Sequence, residues 1–454
     1  MLANFKTFES FQLMQNIDFP NILLISKSLQ ESYELSTTKY VGIYNQTERI
    51  HLNTWFGNET FLLDNDLFPD KITNMQGRSL RTVAFNYKPY AIWRRVESGG
   101  NAAYWDEGPE SFGTVHIDGT ELRACLEYCE IYNCTVSLIA VDEEEWGEIY
   151  DNGTGTGILG TLAEGRADIG VSALYTWYHE YGFLDLSLPM VRTGITVIAP
   201  APRLQPGWLT PVRPFSLKMW LGVLISLTIS ILMSYIVDKI NRVPNANIEN
   251  ETFVVIRYLL LQPPHDANSV RYNSYIRYIT AAVLLLCLML SNAYGGRLSA
   301  VMTIPVYGPP IDSVQDLSSR NMEWGATSDA WIFSILSADE PELIHIVSMF
   351  NDLPEKKLEE KLGSPNFAFS VERLPAGHFA VGEYVKEEYI DGLRLMKEDI
   401  YWEQYVAMMP KSSPILDSYN MHILRTLETG LPAVWESQGL WNVTAARSAS
   451  CRDW

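Results

Sequence analysis

The chain has 454 residues, with 54 acidic against 34 basic side chains and a formal net charge of −20. That balance excludes a reader of nucleic-acid phosphates, which needs a basic surface. A content of 47% hydrophobic and 19% charged residues excludes wholesale disorder, and the length calls for two to four domains.

Residues 1–75 hold scattered apolar runs but too little for a domain, and read as the remnant of a larger N-terminal one. The opening MLANFKTFESFQLMQ lacks the basic and then apolar pattern of a secretory leader, so an exported chain is expected to start further upstream. Residues 76–212 alternate strand and helix signals. SLRTVAFNY (79–87) reads as a strand stopped by Pro89, and TVSLIAV (135–141) and ADIGVSALY (167–175) as two more. GTELRACLEYCEIYN (119–133) sets Leu122, Cys125, Leu126 and Cys129 on one helix face, and ILGTLAEG is helical. This alternation predicts an α/β lobe with a largely parallel sheet. Cys125 and Cys129 share an apolar face, which favours core packing over a metal site. Cys134 is free to pair with one of them or with another chain.

From Met219 to Val237, nineteen residues run without a charge, and nineteen more from Tyr278 to Gly296. Each would make about 28 Å of helix against a hydrocarbon thickness of ~30 Å, so both are expected to cross a membrane. The apolar run Phe253–Leu261 between them is interrupted by Arg257 and followed by Pro263 and Pro264. It is too short to span, and reads either as a re-entrant element or as an amphipathic helix at the interface. The expected units are thus a first lobe (76–212), a first span (213–240), a loop with the short segment (241–275) and a second span (276–304). Two spans return the chain to its starting side, where residues 305–442 form a second lobe and 443–454 a linker; 305–454 carry 23 acidic and 12 basic residues. There MEWGATSD (322–329) reads as a strand running into a helix, a junction suited to a polar ligand. HFAVGEYV (378–385) reads as a strand carrying Glu383, and LDSYNMHILRTLET (416–429) as a helix closed by Gly430. Two α/β lobes traversed in this way predict a clamshell with its ligand in the cleft. Of six N-x-[ST] sequons, Asn45, Asn58, Asn133, Asn152 and Asn442 fall on the shared side, which predicts extracellular lobes, with Asn250 cytosolic. No HExxH, nucleophile elbow or P-loop is present, so neither an enzyme nor a cofactor or metal is expected.

The order lobe, span, short segment, span, lobe resembles the ionotropic glutamate receptor superfamily, and within it the divergent arthropod chemosensory receptors. NGTGTGILGTLAEGRADIGVSALY (152–175) with FLDLSLPM (183–190) resembles the family's most recognisable stretch. AYGGRLSAVMT (293–303) is similar to the gate motif SYTANLAAFLT, matching at Tyr294, Leu298, Ala300 and Thr303, and PIDSVQDL (310–317) to the start of the second lobe. The resemblance implies a two-lobed periplasmic-binding-protein-like fold interrupted by a helical pore unit. It implies a ligand-gated, non-selective cation channel of the plasma membrane, assembled as a hetero-tetramer with co-receptor subunits. It also implies a further span beyond residue 454 and thus a fragment. The rival reading is a membrane-anchored solute-binding receptor or co-receptor subunit with no pore of its own.

By the same resemblance, ligand contacts fall on Tyr175, Thr176 and Glu180 in the first lobe and on Thr327, Ser328, Asp329 and Glu383 in the second. Ser328 or Asp329 would alternatively cap a helix, and Glu383 would be an exposed strand acid. Glutamate-binding members place an arginine where a gap-free alignment sets Glu180, and no arginine lies between Arg166 and Arg192. A carboxylate repels an anionic ligand, so the expected stimulus is cationic, neutral or not an amino acid, or a physical one. Gln262 falls nearest the pore apex. Arg297 replaces the gate asparagine and would either snorkel outward or line the pore mouth.

Overall fold

The computed structural model describes residues 21–28, 32–57, 60–105, 112–204, 207–240, 247–262, 274–303, 307–382 and 384–438. They divide into a soluble unit, Met1–Ala201 with Ile311–Trp454, and a helical unit, Pro202–Pro310.

In the soluble unit, strands β1 (Leu24–Lys27), β2 (Ser32–Val41), β3 (Gln46–Phe56) and β4 (Thr60–Phe61) form an antiparallel sheet in sequence order. Sequence reading found no elements in this segment because its apolar runs are short and its hydrophobic alternation is weak. Next come β5 (Arg78–Ala84), β6 (Ile92–Val96), β7 (Ala102–Trp105), β8 (Phe112–Asp118), α1 (Thr120–Tyr132), β9 (Cys134–Ala140), α2 (Gly157–Ala163), β10 (Ile169–Tyr175), α3 (Tyr178–Tyr181), β11 (Leu184–Leu186) and β12 (Val191–Pro200).

The helical unit contains α4 (Leu217–Ile240), α5 (Ile248–Leu259) and α6 (Ser274–Thr303). α4 and α6 are long and apolar enough to cross a membrane, and only 11% of each apolar window is buried, unlike the core helix of a soluble protein. α5 docks on both: Val255, Val283 and Cys287 form a small core with Leu227, Ile231 and Ile279 packed against it.

After the helical unit, the chain adds α7 (Val314–Ser319), closed by a Ser313–Asp316 capping box, β13 (Glu323–Ala326) and a 3-10 turn over Asp329–Ile335. α8 (Pro341–Ser348), β14 (Phe350–Asp352), α9 (Glu355–Lys361), β15 (Phe367–Arg373), β16 (Phe379–Val381), α10 (Glu387–Ile390), β17 (Leu393–Leu395), β18 (Tyr401–Pro410) and α11 (Leu416–Thr429) complete the order.

Fourteen strands form one mixed sheet in the order β14-β13-β15-β12-β18-β10-β5-β9-β7-β8-β6, with β11, β16 and β17 as side branches. The parallel pairs β13/β14 and β13/β15 lie towards one end and β5/β9, β5/β10 and β7/β9 towards the other. Antiparallel β12 and β18 join them: β12 pairs Val191–Ile195 with β18 and Gly194–Ile198 with β15. The largely parallel sheet expected for residues 76–212 is thus mixed, because β6, β7 and β8 fold back as antiparallel neighbours instead of crossing over.

One large apolar cluster surrounds β5, β9, β10 and α1 and a second surrounds Trp324, Ile346, Ala368 and Met396. Tyr405–Met409, Tyr419 and Ile423, expected in the second lobe, pack in the first cluster, since β18 pairs with β10 and returns α11 onto α1. Cys129 and Cys134 form a disulfide across the left-handed Asn133 that ends α1 (φ 54°), so Cys129 is bonded as well as buried. Cys125 is a buried free thiol.

One internal support shapes the site. The buried Glu121 of α1 accepts backbone N–H bonds from Ser172 (2.7 Å) and Ala173 (2.8 Å) through the same oxygen. These two residues of β10 have φ of 112° and 54°, and the pairing with β18 shifts register between Gly170 and Leu174. The bulge sets the course of the strand end bearing Tyr175 and Thr176.

Candidate functional site

The loop after β9 carries Asp142, Glu143, Glu144, Glu145 and Glu148, five acids in seven residues. They face Asp329, Asp352 and Glu355, from after the helical unit, across a cavity of about 680 Å³, into which Thr327 and Ser328 also open. The two parts of the chain touch here directly: Thr327 donates its hydroxyl to Glu145 Oε2 at 2.9 Å. Burial pushes the Glu145 carboxyl up to about 7; Thr327 opposes the shift and the charges of Glu355 and Asp352 add to it. Asp352 is raised by burial and by Asp329. A concave site with so many carboxylates focuses a negative potential that concentrates cations.

Three aromatic rings, one of them the neighbour of Glu145 in the chain, pack together. Tyr87 meets Trp146 edge-on at 5.3 Å and Trp331 at 6.5 Å, and the two tryptophans lie 6.1 Å apart. Glu372 of β15 lies deeper, with no exposed surface. Its carboxylate accepts hydroxyls from Tyr87 (2.9 Å), Tyr90 (2.6 Å) and Tyr175, all from the first lobe. Burial raises the Glu372 carboxyl, with the tyrosine donors opposing it, and drives the three phenols well above their usual range. The parts of the chain before and after the helical unit are therefore joined twice, by a hydroxyl–carboxylate contact at the cavity and by a buried carboxylate under three phenols.

Of the residues expected from sequence, Thr327, Ser328 and Asp329 line the cavity and Tyr175 belongs to the inner cage. Ser328 also caps the 3-10 turn, accepting from the Ala330 N–H at 3.2 Å. Thr176 faces another way and donates to Glu403 of β18. Glu180 is buried in α3 with its oxygen 3.5 Å from His179 Nδ1, and does not line the cavity. Glu383 lies outside the described residues. Sequence reasoning missed Glu372 and Glu145. The signal for the first was a lone acid inside the apolar strand FAFSVER, and for the second an acid run broken by a tryptophan.

In the helical unit, Gln262 follows α5 in an exposed position, its N–H on the Arg257 carbonyl at 2.9 Å. Tyr294 donates to the Pro211 carbonyl (3.0 Å) and packs on Phe215 and Trp220, tying α6 to the start of α4. Arg297 and Thr303 are exposed, Leu298 is half-buried, and Gly295 and Gly296 face open space.

No family model matches the chain. Several curated proteins do. The kainate 1 ionotropic glutamate receptor of Mus musculus is 20% identical over 309 residues, covering 64% of this chain and 34% of the receptor. The delta-1 ionotropic glutamate receptor of Homo sapiens is 21% identical over 403 residues (83% and 38%). The kainate glr-3 receptor of Caenorhabditis elegans is 22% identical over 423 residues (87% and 46%). The chain therefore spans between a third and a half of the length of these relatives. These similarities make the chain a distant homologue of the ionotropic glutamate receptors.

Proposed function

We propose that the chain is a subunit of a ligand-gated ion channel of the chemosensory ionotropic-receptor kind, in the plasma membrane with its lobes extracellular, and that its stimulus is a small cation such as an amine. The relatives are ionotropic glutamate receptors, and two helices long and apolar enough to cross a membrane, α4 and α6, flank the short α5, which supports this reading. The observation that carries the ligand class is the acidic cavity: eight carboxylates converge on it, a lining that repels an anionic ligand such as glutamate and suits a cation. A cation there neutralises Glu145 against Asp329 and Asp352 and draws the lobes together. The ligand thereby favours the closed state by its differential affinity for it. Closure pulls on α6 and opens a non-selective cation pore lined near Gln262 and gated around Tyr294, Arg297, Leu298 and Thr303. The working assembly is a hetero-tetramer with co-receptor subunits.

Recording currents from the protein co-expressed with co-receptor subunits tests this reading. Small amines should evoke current, and Glu145→Gln combined with Asp329→Asn should raise the half-maximal concentration at least about tenfold, or ~1.4 kcal/mol. Surface delivery without amine-evoked current, or an unchanged dose response in the double variant, would overturn the reading; binding without current would favour a receptor that has no pore of its own.

A further inference from the structure

We propose that Asn152 is an N-glycosylation site whose glycan stands at the rim of the acidic cavity. The proposal rests on the outward placement of the lobes given above, and goes beyond it by separating the sequons on geometry. A sequon can carry a glycan in the finished fold only if its Nδ2 faces solvent and is not required by the protein.

Three lobe sequons lie among the described residues. At Asn45, half-buried, the side chain is engaged at both ends with one residue of β5: Oδ1 accepts from the Ser79 N–H (2.8 Å) and Nδ2 donates to the Ser79 carbonyl (3.3 Å). At Asn133, Nδ2 donates to Asn74 Oδ1 at 2.8 Å, and the middle residue of the sequon is Cys134, bonded to Cys129. A glycan at either place costs the fold a contact it uses.

Asn152 is different. It is exposed at the tip of a loop closed by an antiparallel bridge between Ile149 and Gly155, with the Tyr150 N–H on the Thr154 carbonyl and the Gly153 N–H on the Tyr150 carbonyl. Gly153 has φ of +78° with nothing within 4 Å of a Cβ built on it, so the tip is open on its glycine side and suits no other residue well. The Thr154 N–H (3.0 Å) and hydroxyl (2.7 Å) both donate to Asn152 Oδ1. The amide oxygen is thereby held by the threonine of the sequon itself, and among the described residues nothing accepts from Nδ2. In the transfer, Nδ2 displaces a lipid-linked pyrophosphate from the anomeric carbon of its oligosaccharide. An N–C bond forms, the C–O bond to the pyrophosphate breaks and one amide proton leaves. The flanks of this loop, Glu148, Tyr150 and Thr156, line the cavity, which fixes the sugar at its rim.

The test expresses the full chain in mammalian cells, purifies it from the cell surface, removes glycans with peptide-N-glycosidase in H₂¹⁸O and maps the ¹⁸O-labelled aspartates by mass spectrometry. Label at position 152, lost in Thr154→Ala and kept in Thr154→Ser, is the expected result. An unlabelled 152 beside label at 45 or 133 overturns the site while leaving the lobes outside the cell. Label at 250 with none at 45, 133 or 152 overturns the orientation as well, and no label anywhere on surface-delivered chain overturns the site.

Discussion

Glu121 and Glu145 are two carboxyls that burial lifts to about 7 from the usual 4.5, and they respond oppositely to pH depending on what is measured. For stability, a raised folded-state value means that the neutral form fits the fold. The stabilisation is therefore complete below about 4.5 and disappears as pH rises through about 7. For the fully buried Glu121 this amounts to at most about 3 kcal/mol. The melting temperature of the solubilised chain should thus fall between pH 5.5 and pH 8. Glu121→Gln, which keeps an oxygen for the Ser172 and Ala173 N–H groups, should flatten that slope. For ligand binding the sign reverses at Glu145: a cation selects the ionised carboxylate, so amine potency should increase as pH rises through about 7. A melting temperature independent of pH, or a potency that falls with rising pH, would contradict these assignments.

At the scale of elements, β10 shows where a strand departs from its pattern. All seven of its residues are buried, and the left-handed Ser172 and Ala173 break its register in mid-strand. A non-glycine residue in this region costs about 1–2 kcal/mol, offset here by the Glu121 carboxylate and by the Trp146 indole, which donates to the Ser172 carbonyl at 2.8 Å. Ala173→Gly should therefore raise the melting temperature and Ala173→Val lower it, as scanning calorimetry would show; a loss of stability with glycine would mean that the bulge is not strained. Such a bulge leaves no mark in the sequence, because serine and alanine suit a regular strand equally well. Helix α1, by contrast, was legible from the apolar spacing of Leu122, Cys125, Leu126 and Cys129. α11 was legible from Gly430, and the long apolar helices α4 and α6 from their uncharged length. The acids of the cavity were visible as residues but not as a site. Asp142–Glu148 and Asp352–Glu355 are some two hundred positions apart, and only the crossing of β12 and β18 brings them face to face.

At the scale of the soluble unit, the Glu372 cage and the Thr327–Glu145 contact link the part of the chain before the helical unit to the part after it. The tyrosines come from before the helical unit and the carboxylate from after it, so removing hydroxyls weakens this link while the rings stay in the apolar cluster that the two parts share. Tyr90→Phe with Tyr175→Phe should open the unit, seen as faster hydrogen exchange at β15 and around Trp331 while α1 stays protected; exchange unchanged at both places would mean the cage is not a latch. Hydrogen bonds to a buried carboxylate are worth about 1.5–3 kcal/mol each, so the loss of two is large enough to be read in the exchange rates.

β12 leaves the soluble unit directly, running to Pro200 and on through Ala201 to the helical unit, and it has antiparallel partners on both edges, β15 and β18. Any tension that arrives along this strand is loaded in shear. Its cross-strand hydrogen bonds lie transverse to the pull and must stretch together instead of unzipping one after another. A strand held on both edges in this way resists being peeled from its own sheet when pulled along its length.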